Sequence, residues 1–174
     1  MDKLIYFDNA ATTFPKPDEV YRAVQKCIEE YCGNPGRSGH RLSLESARTV
    51  YRCRESLCSL FGLREPENVV FTLNTTYALN IAISSVVKKE DHVLISNIEH
   101  NSVIRPIAKS GCKYSVFNCF APREKVMADI VSKITPKTRL IICSHQSNVS
   151  PLKNHIREIG KLARKRGITF IVDA

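Results

Sequence analysis

Four short polar stretches in this 174-residue chain carry residue types that do chemistry. Asn74-Thr75-Thr76-Tyr77-Ala78-Leu79-Asn80 places two hydroxyls where a helical pattern opens, directly behind the apolar run Val69-Val70-Phe71-Thr72-Leu73. The free N–H groups of a helix start form an anion site, so the pair suits a phosphate. Thr75 or Thr76 would equally serve as a helix cap, and the residues alone leave both readings open. Asn97-Ile98-Glu99-His100-Asn101-Ser102 follows a second apolar run, and His100 there is either a ring that stacks on a ligand or a surface loop histidine. Ser144-His145-Gln146-Ser147-Asn148-Val149 follows a later run, and the last run ends in Asp173. In an open α/β sheet, ligands bind beyond the carboxyl ends of the strands, which is where all four stretches fall.

Other chemistries find less support. Gly33, Gly36 and Gly39 belong to Gly33-Asn34-Pro35-Gly36-Arg37-Ser38-Gly39-His40-Arg41, which fits neither the dinucleotide fingerprint nor the P-loop, and reads as a loop by its turn residues. No Ser-His-Asp order or paired-carboxylate spacing supports a hydrolase. The seven cysteines contain no C-x-x-C pair and read as reduced thiols, with Cys27 and Cys53 at helical core spacing. Two C-x4-C pairs lack a histidine at finger spacing, so no metal is expected.

The elements that must position these residues alternate. Apolar runs at Val69–Leu73, His92–Ser96, Tyr114–Phe117, Leu140–Cys143 and Ile168–Val172 recur with helical patterns between them, such as Ile156, Ile159 and Ala163 closed by Gly167. That is the spacing of βαβ units, so the fold class is α/β with a mostly parallel sheet flanked by helices. Near-continuous apolar strands imply that both faces are covered. Ahead of the sheet, Val20, Ala23, Val24, Cys27, Ile28 and Tyr31 mark an amphipathic helix behind Pro17-Asp18, and a second long helix is predicted from Ser43 to Phe61. The organisation read from this pattern is an N-terminal segment with helices at 1–60 and the first part of a larger domain at 61–174.

Length and composition bound the rest. With 43% hydrophobic and 25% charged residues the chain is globular, and its length suits one large domain or a piece of something larger. The balance of 26 basic and 17 acidic residues leaves +9. The basic residues are dispersed, and the densest cluster, Lys161, Arg164, Lys165 and Arg166, falls at a helix end where cations suit the dipole, so the charge reads as a solvated face and no nucleic-acid partner is expected. No apolar run approaches the roughly 18–20 residues of a membrane span. Met1-Asp2-Lys3 leads into a strand-like Leu4-Ile5-Tyr6-Phe7 without a signal-type apolar region, so a cytoplasmic setting is expected.

Taken together, Tyr6-Phe7-Asp8-Asn9-Ala10-Ala11-Thr12-Thr13, the Gly33–His40 loop, Glu99-His100-Asn101-Ser102, Ser147-Asn148-Val149 and Val172-Asp173-Ala174 resemble the class V aminotransferases of pyridoxal-phosphate fold type I, closest to the cysteine desulfurase-like group. The resemblance runs in register along the whole chain and covers about the first half of a family member.

It implies pyridoxal 5'-phosphate as cofactor, with the protein supplying binding and electronics. On this resemblance Asp173 matches the aspartate that pairs with the pyridine nitrogen, and His100 the catalytic histidine stacked on the ring. Thr76, with the backbone at Thr75, matches the phosphate-cradling turn. Asn148 matches an asparagine near the ring oxygen and the substrate carboxylate, while Asn9, Ala10 and His40 match segments at the mouth of the site on the substrate side. The implied reaction removes sulfur from L-cysteine to give L-alanine and an enzyme persulfide. Other members of the class, a selenocysteine lyase or a transaminase, are the alternatives, as is a non-catalytic truncated module that needs a partner chain. The family's cofactor-linking lysine and its sulfur-accepting cysteine lie beyond the stretch matched here. A homodimer in the full-length form and a C-terminal half chain are the partners the resemblance implies. Tyr77 stands where the family usually has Glu, and Pro151 where it usually has Gly.

Overall fold

The computed structural model describes residues 4–9, 12–37, 39–147 and 150–174. They divide into two compact units, Met1–Phe71 and Thr72–Ala174.

The first unit is helical. Helix α1 spans Asp18–Lys26 and continues into a π-helical turn, Cys27–Tyr31; helix α2 spans Arg41–Phe61 and ends at Gly62, whose φ of 65° is the left-handed conformation that closes helices. The Gly33–His40 loop is tied to the start of α2 by two buried serines. Ser43 Oγ donates to the Asn34 carbonyl (2.6 Å), Ser46 Oγ donates to the Tyr31 carbonyl (2.7 Å), and the Gly33 N–H donates to Ser46 Oγ (3.2 Å). Gly33 is required at this junction because a Cβ there would stand 2.8 Å from the Leu42 carbonyl carbon.

Three expectations are corrected in this unit. Leu4–Phe7 forms no strand, since no described strand lies beside it, and Phe7 is 93% exposed. Cys53 is exposed and Cys27 half-buried, so their spacing marks a helix face but not a core. The apolar face of α1 has the predicted periodicity, yet buries no residue.

The second unit is the α/β body. Four strands, β1 (His92–Ser96), β2 (Lys113–Phe117), β3 (Thr138–Ser144) and β4 (Thr169–Asp173), form an all-parallel sheet in the order β2-β1-β3-β4. Helices α3 (Thr75–Val86), α4 (Asn101–Ser110), α5 (Arg123–Lys133) and α6 (Ile156–Lys165) flank it. Side chains alternate across the pleat. Val93, Ile95, Leu140 and Ile142 pack with Leu79 and Ile83 of α3 and Val103 and Ile107 of α4. Leu94, Phe117, Ile141 and Cys143 pack with Val126 and Ile130 of α5 and Ile159 and Ala163 of α6 on the opposite face. The central strands are therefore apolar throughout, as a two-sided parallel sheet demands.

The edges differ from the expectation that both faces of every strand are covered. Tyr114 and Val116 of β2 are exposed, as is Val172 of β4. Val69–Leu73, predicted as a strand, forms no ladder with any described residue. Its backbone at Val69 is extended, but no described strand offers it a ladder, and Val70 and Leu73 are 73% and 87% exposed.

Candidate functional site

The carboxyl ends of the parallel strands carry helix starts, and of the sequence-predicted residues His100 follows β1, Asp173 ends β4, and Thr75 and Thr76 open α3. At α3 the cap is Asn74: its side chain accepts from the Tyr77 N–H (2.9 Å). Capping is thus done by a residue that the sequence reading passed over in favour of the two threonines. Thr75 and Thr76 become the first helical residues, with their hydroxyls free of the cap, and the helix start leaves their N–H groups for an outside acceptor. Asn80 closes the first turn by donating to the Thr76 carbonyl (2.8 Å). Tyr77, in the position the family usually gives to Glu, is exposed.

After β1 the chain turns into α4, whose cap is His100. Its Nδ1 accepts from the Ser102 N–H (3.1 Å) and meets Ser102 Oγ at 2.9 Å. His100 is exposed, and with Thr76, Asn80, Asn101, Ser102 and Arg105 it lines a cavity of about 480 Å³. Thr76 at the start of α3 and His100 at the start of α4 thus share one cavity. Arg105, one helical turn beyond Asn101, adds a cation that sequence reasoning missed; the i,i+4 spacing from Asn101 was the available signal.

Beneath these residues lies a polar brace. Glu99 Oε1 accepts from the Ser144 N–H (2.8 Å) and from the Ser96 hydroxyl, while Oε2 accepts from the Ser144 hydroxyl (3.1 Å). One carboxylate therefore joins the ends of β1 and β3. Burial pushes the Glu99 carboxyl above its ordinary range; the hydrogen bonds from Ser96 and Ser144 pull it back in part, and the charge of Asp173 pushes it up further.

The brace extends to β4. Ser144 pairs with Asp173 in the sheet register, the His145 N–H donates to the Asp173 carbonyl (2.7 Å), and Asn154 donates its Nδ2 proton to the Ser144 carbonyl (2.6 Å). Asp173, half-buried at the strand end, is thus held by the same lattice that holds the residue before His100. Sequence reasoning gave Glu99 no role of its own, because two of its three hydrogen bonds come from Ser144, 45 residues away.

Two thiols lie near this brace. Cys143 is fully buried, and its thiol is pushed up by its hydrogen bond to Cys119 and by burial; Cys119 is held down by the same bond. Both belong to the core between the sheet, α5 and α6.

Two of the remaining predicted residues serve their own local turns. Asn9 serves its own turn: Oδ1 accepts from the Phe14 N–H (3.2 Å) and Nδ2 donates to the Tyr6 carbonyl (3.5 Å). His40 caps α2, its Nδ1 accepting from the Ser43 N–H (3.3 Å). Both belong to the first unit. Ala10 and Asn148 lie outside the described residues. Near Asn148, Pro151 offers its carbonyl to Gln146 Nε2 (3.4 Å), and Gln146 forms an isolated antiparallel bridge with Lys153.

The profile of the family described as Aminotransferase class-V matches residues 5–174. A probable cysteine desulfurase of Borreliella burgdorferi is 34% identical, over 98% of this chain and 42% of the relative. Among solved structures, SspA in complex with cysteine superposes with a TM-score of 0.84 at 24% identity, over 97% of this chain and 50% of the other. A C-DES mutant with glycine covalently linked to its PLP cofactor superposes with a TM-score of 0.74 at 21% identity, over 91% of this chain and 43% of the other. At these identities the structural likeness shows the fold. The chain spans less than half the length of the Borreliella relative.

Proposed function

The chain belongs to the class-V aminotransferase family, and on that premise we propose that it forms the N-terminal part of a pyridoxal-phosphate cysteine desulfurase, the part that binds the cofactor's phosphate, ring face and pyridine nitrogen. The observation that carries this is the cavity shared by Thr76 and His100 at the start of α3, with Asp173 tied through Ser144 to the residue before His100.

The residues fit the group. A free hydroxyl and two unclaimed N–H groups at a helix start suit a phosphate dianion. His100 presents an exposed imidazole whose Nδ1 is engaged in the cap, so the ring is fixed in orientation and offers its face. Asp173 is a carboxylate at a strand end, where it would hold a proton at the pyridine nitrogen. When bound, pyridoxal phosphate supplies an electron sink for the carbon next to the substrate amine. Arg105 would add charge to the phosphate side, and Glu99 would keep His100 and Asp173 in fixed relation.

On the substrate side we place Asn9, Ala10, His40 and Asn148, with L-cysteine as substrate; the cysteine complex of SspA and the desulfurase names of the relatives support that choice. Among the described residues no lysine lines the Thr76–His100 cavity, so the cofactor-linking lysine is assigned to a C-terminal half, with a homodimer as the complete enzyme. The setting we assign is cytoplasmic sulfur metabolism, including supply to iron–sulfur assembly. No described helix is long and apolar enough to cross a membrane.

Pyridoxal phosphate and unphosphorylated pyridoxal, each dialysed to equilibrium against the chain, test this reading. Thr76→Val is expected to weaken pyridoxal phosphate by about tenfold, the worth of one hydrogen bond to a charged group, and to leave pyridoxal unchanged. Equal binding of the two compounds by the parent chain would refute the phosphate site.

A further inference from the structure

Parallel strands give the sheet a second rim at their amino-terminal ends, where β1, β3 and β4 begin and α3, α5 and α6 end. Two adjoining cavities lie there, of about 700 and 520 Å³. Lys88, Lys137, Arg139 and Arg166 line the larger; Lys89 and Lys113 join Lys137 around the smaller. All six side chains are exposed, and none takes part in an ion pair with a described residue. The rim's carboxylates are Glu90 and Asp91, and Asp91 Oδ2 is already engaged by the Lys88 N–H (2.8 Å). Six cations against two carboxylates leave four positive charges in excess on this rim.

Helix dipoles explain cations in a last helical turn, such as Arg164 and Lys165 of α6. Five of the rim cations lie beyond those turns, in the connections that follow the helices and in the opening residues of β2 and β3, and Arg166 is the cap residue that closes α6. The carbonyl ends of α3, α5 and α6 repel a small anion seated against the backbone, so the favoured ligand presents its negative charge from outside, at the reach of the side chains. A phosphodiester chain would set uniform negative charge against Glu90 and Asp91. A polypeptide can space its carboxylates around them.

We infer that this rim is the docking surface for an acidic segment of a partner polypeptide. It stands a strand's length, about 16 Å, from the cavity of Thr76 and His100, so a partner docked there leaves the candidate site open. Field lines from the four excess charges speed the encounter, and the contact weakens as salt rises.

Fluorescein-labelled oligo-glutamate, titrated against the chain by anisotropy, is the test, with oligodeoxythymidylate of equal charge as competitor. Reversal of four rim charges, in K88E/K137E/R139E/R166E, is expected to weaken the peptide by at least about tenfold. Reversal of four exposed cations elsewhere, in K26E/R52E/K125E/K161E, is expected to change it by less than about threefold. Circular dichroism of both variants, and the neutral version K88Q/K137Q/R139Q/R166Q, separate lost binding from lost folding. Equal weakening in the two reversal variants would overturn the inference by reducing it to net charge. Rim-dependent binding in which the oligonucleotide outcompetes the peptide would overturn it in favour of a nucleic-acid surface.

Discussion

Glu99 offers the sharpest test of how the site is held together. In Glu99→Ala the Ser144 N–H loses its acceptor inside the protein, and the buried hydroxyls of Ser96 and Ser144 lose theirs. An unsatisfied buried N–H costs about 1–3 kcal/mol, the hydroxyls can turn to other acceptors, and removing a desolvated carboxyl returns part of the loss, so a net destabilisation of about 2 kcal/mol is expected. In a unit of this size that lowers the melting temperature by about 8–16 °C.

Glu99→Gln separates charge from contact. Its Oε1 can still accept from the Ser144 N–H, and its amide can donate to the Ser144 hydroxyl, so at neutral pH the change stays within about 1 kcal/mol. The pH dependence has a definite sign. Burial and Asp173 hold the folded carboxyl above its ordinary value of 4.5, so the folded state keeps a proton that the unfolded chain has released. Stability therefore falls as pH rises from the ordinary value through the raised one, and the parent loses ground to Glu99→Gln across that window. Urea unfolding followed by circular dichroism at a series of pH values reads both effects. A glutamine variant as damaged as the alanine variant, or a parent–glutamine difference that is flat with pH, would refute the brace.

Two further outcomes test the framework around it. Ile142→Ala, in the fully buried centre of β3 against α3 and α4, should cost about 2–5 kcal/mol in the same unfolding assay. Gly33→Ala, whose Cβ would meet the backbone of Leu42 and Ser43 at 2.8 and 2.9 Å, should destabilise the first unit by about 1–3 kcal/mol, read as faster proteolysis between α1 and α2.

What could be read in advance was what repeats locally. The apolar runs of β1 and β3 announce themselves because both faces of a central parallel strand are buried, and α6 is legible from Ile156, Ile159 and Ala163 with Gly167 behind them at a φ of 65°. The positions of His100 behind β1 and of Asp173 at the end of β4 follow from the same alternation. What stayed hidden depends on partners far away in the chain. Val69–Leu73 has the composition of a strand, but a strand exists only where a neighbour takes its N–H and C=O groups. The cap of α3 was misread because Asn74, Thr75 and Thr76 all have cap-forming side chains, and only the backbone turn selects Asn74. Glu99 has no local signature at all: its role is visible only when β1 and β3 are set side by side.

The parallel sheet also settles where charge of each sign belongs. The four helices described in the second unit, α3 to α6, run back against the strands, so helix starts collect at the carboxyl rim and helix ends at the amino rim. The first rim offers N–H groups and small polar side chains to an anion at close range, and needs few formal charges to do so; Arg105 is the cation in its cavity. The second rim exposes carbonyls, tolerates cations, and accumulates six of them around two cavities. A chain of net charge +9 can therefore carry the proposed phosphate site at one end of its strands while surplus positive charge stands at the other. Charge-reversal at the amino rim should consequently leave pyridoxal phosphate affinity within about twofold, because a separation of about 16 Å exceeds the roughly 8 Å Debye length at physiological salt.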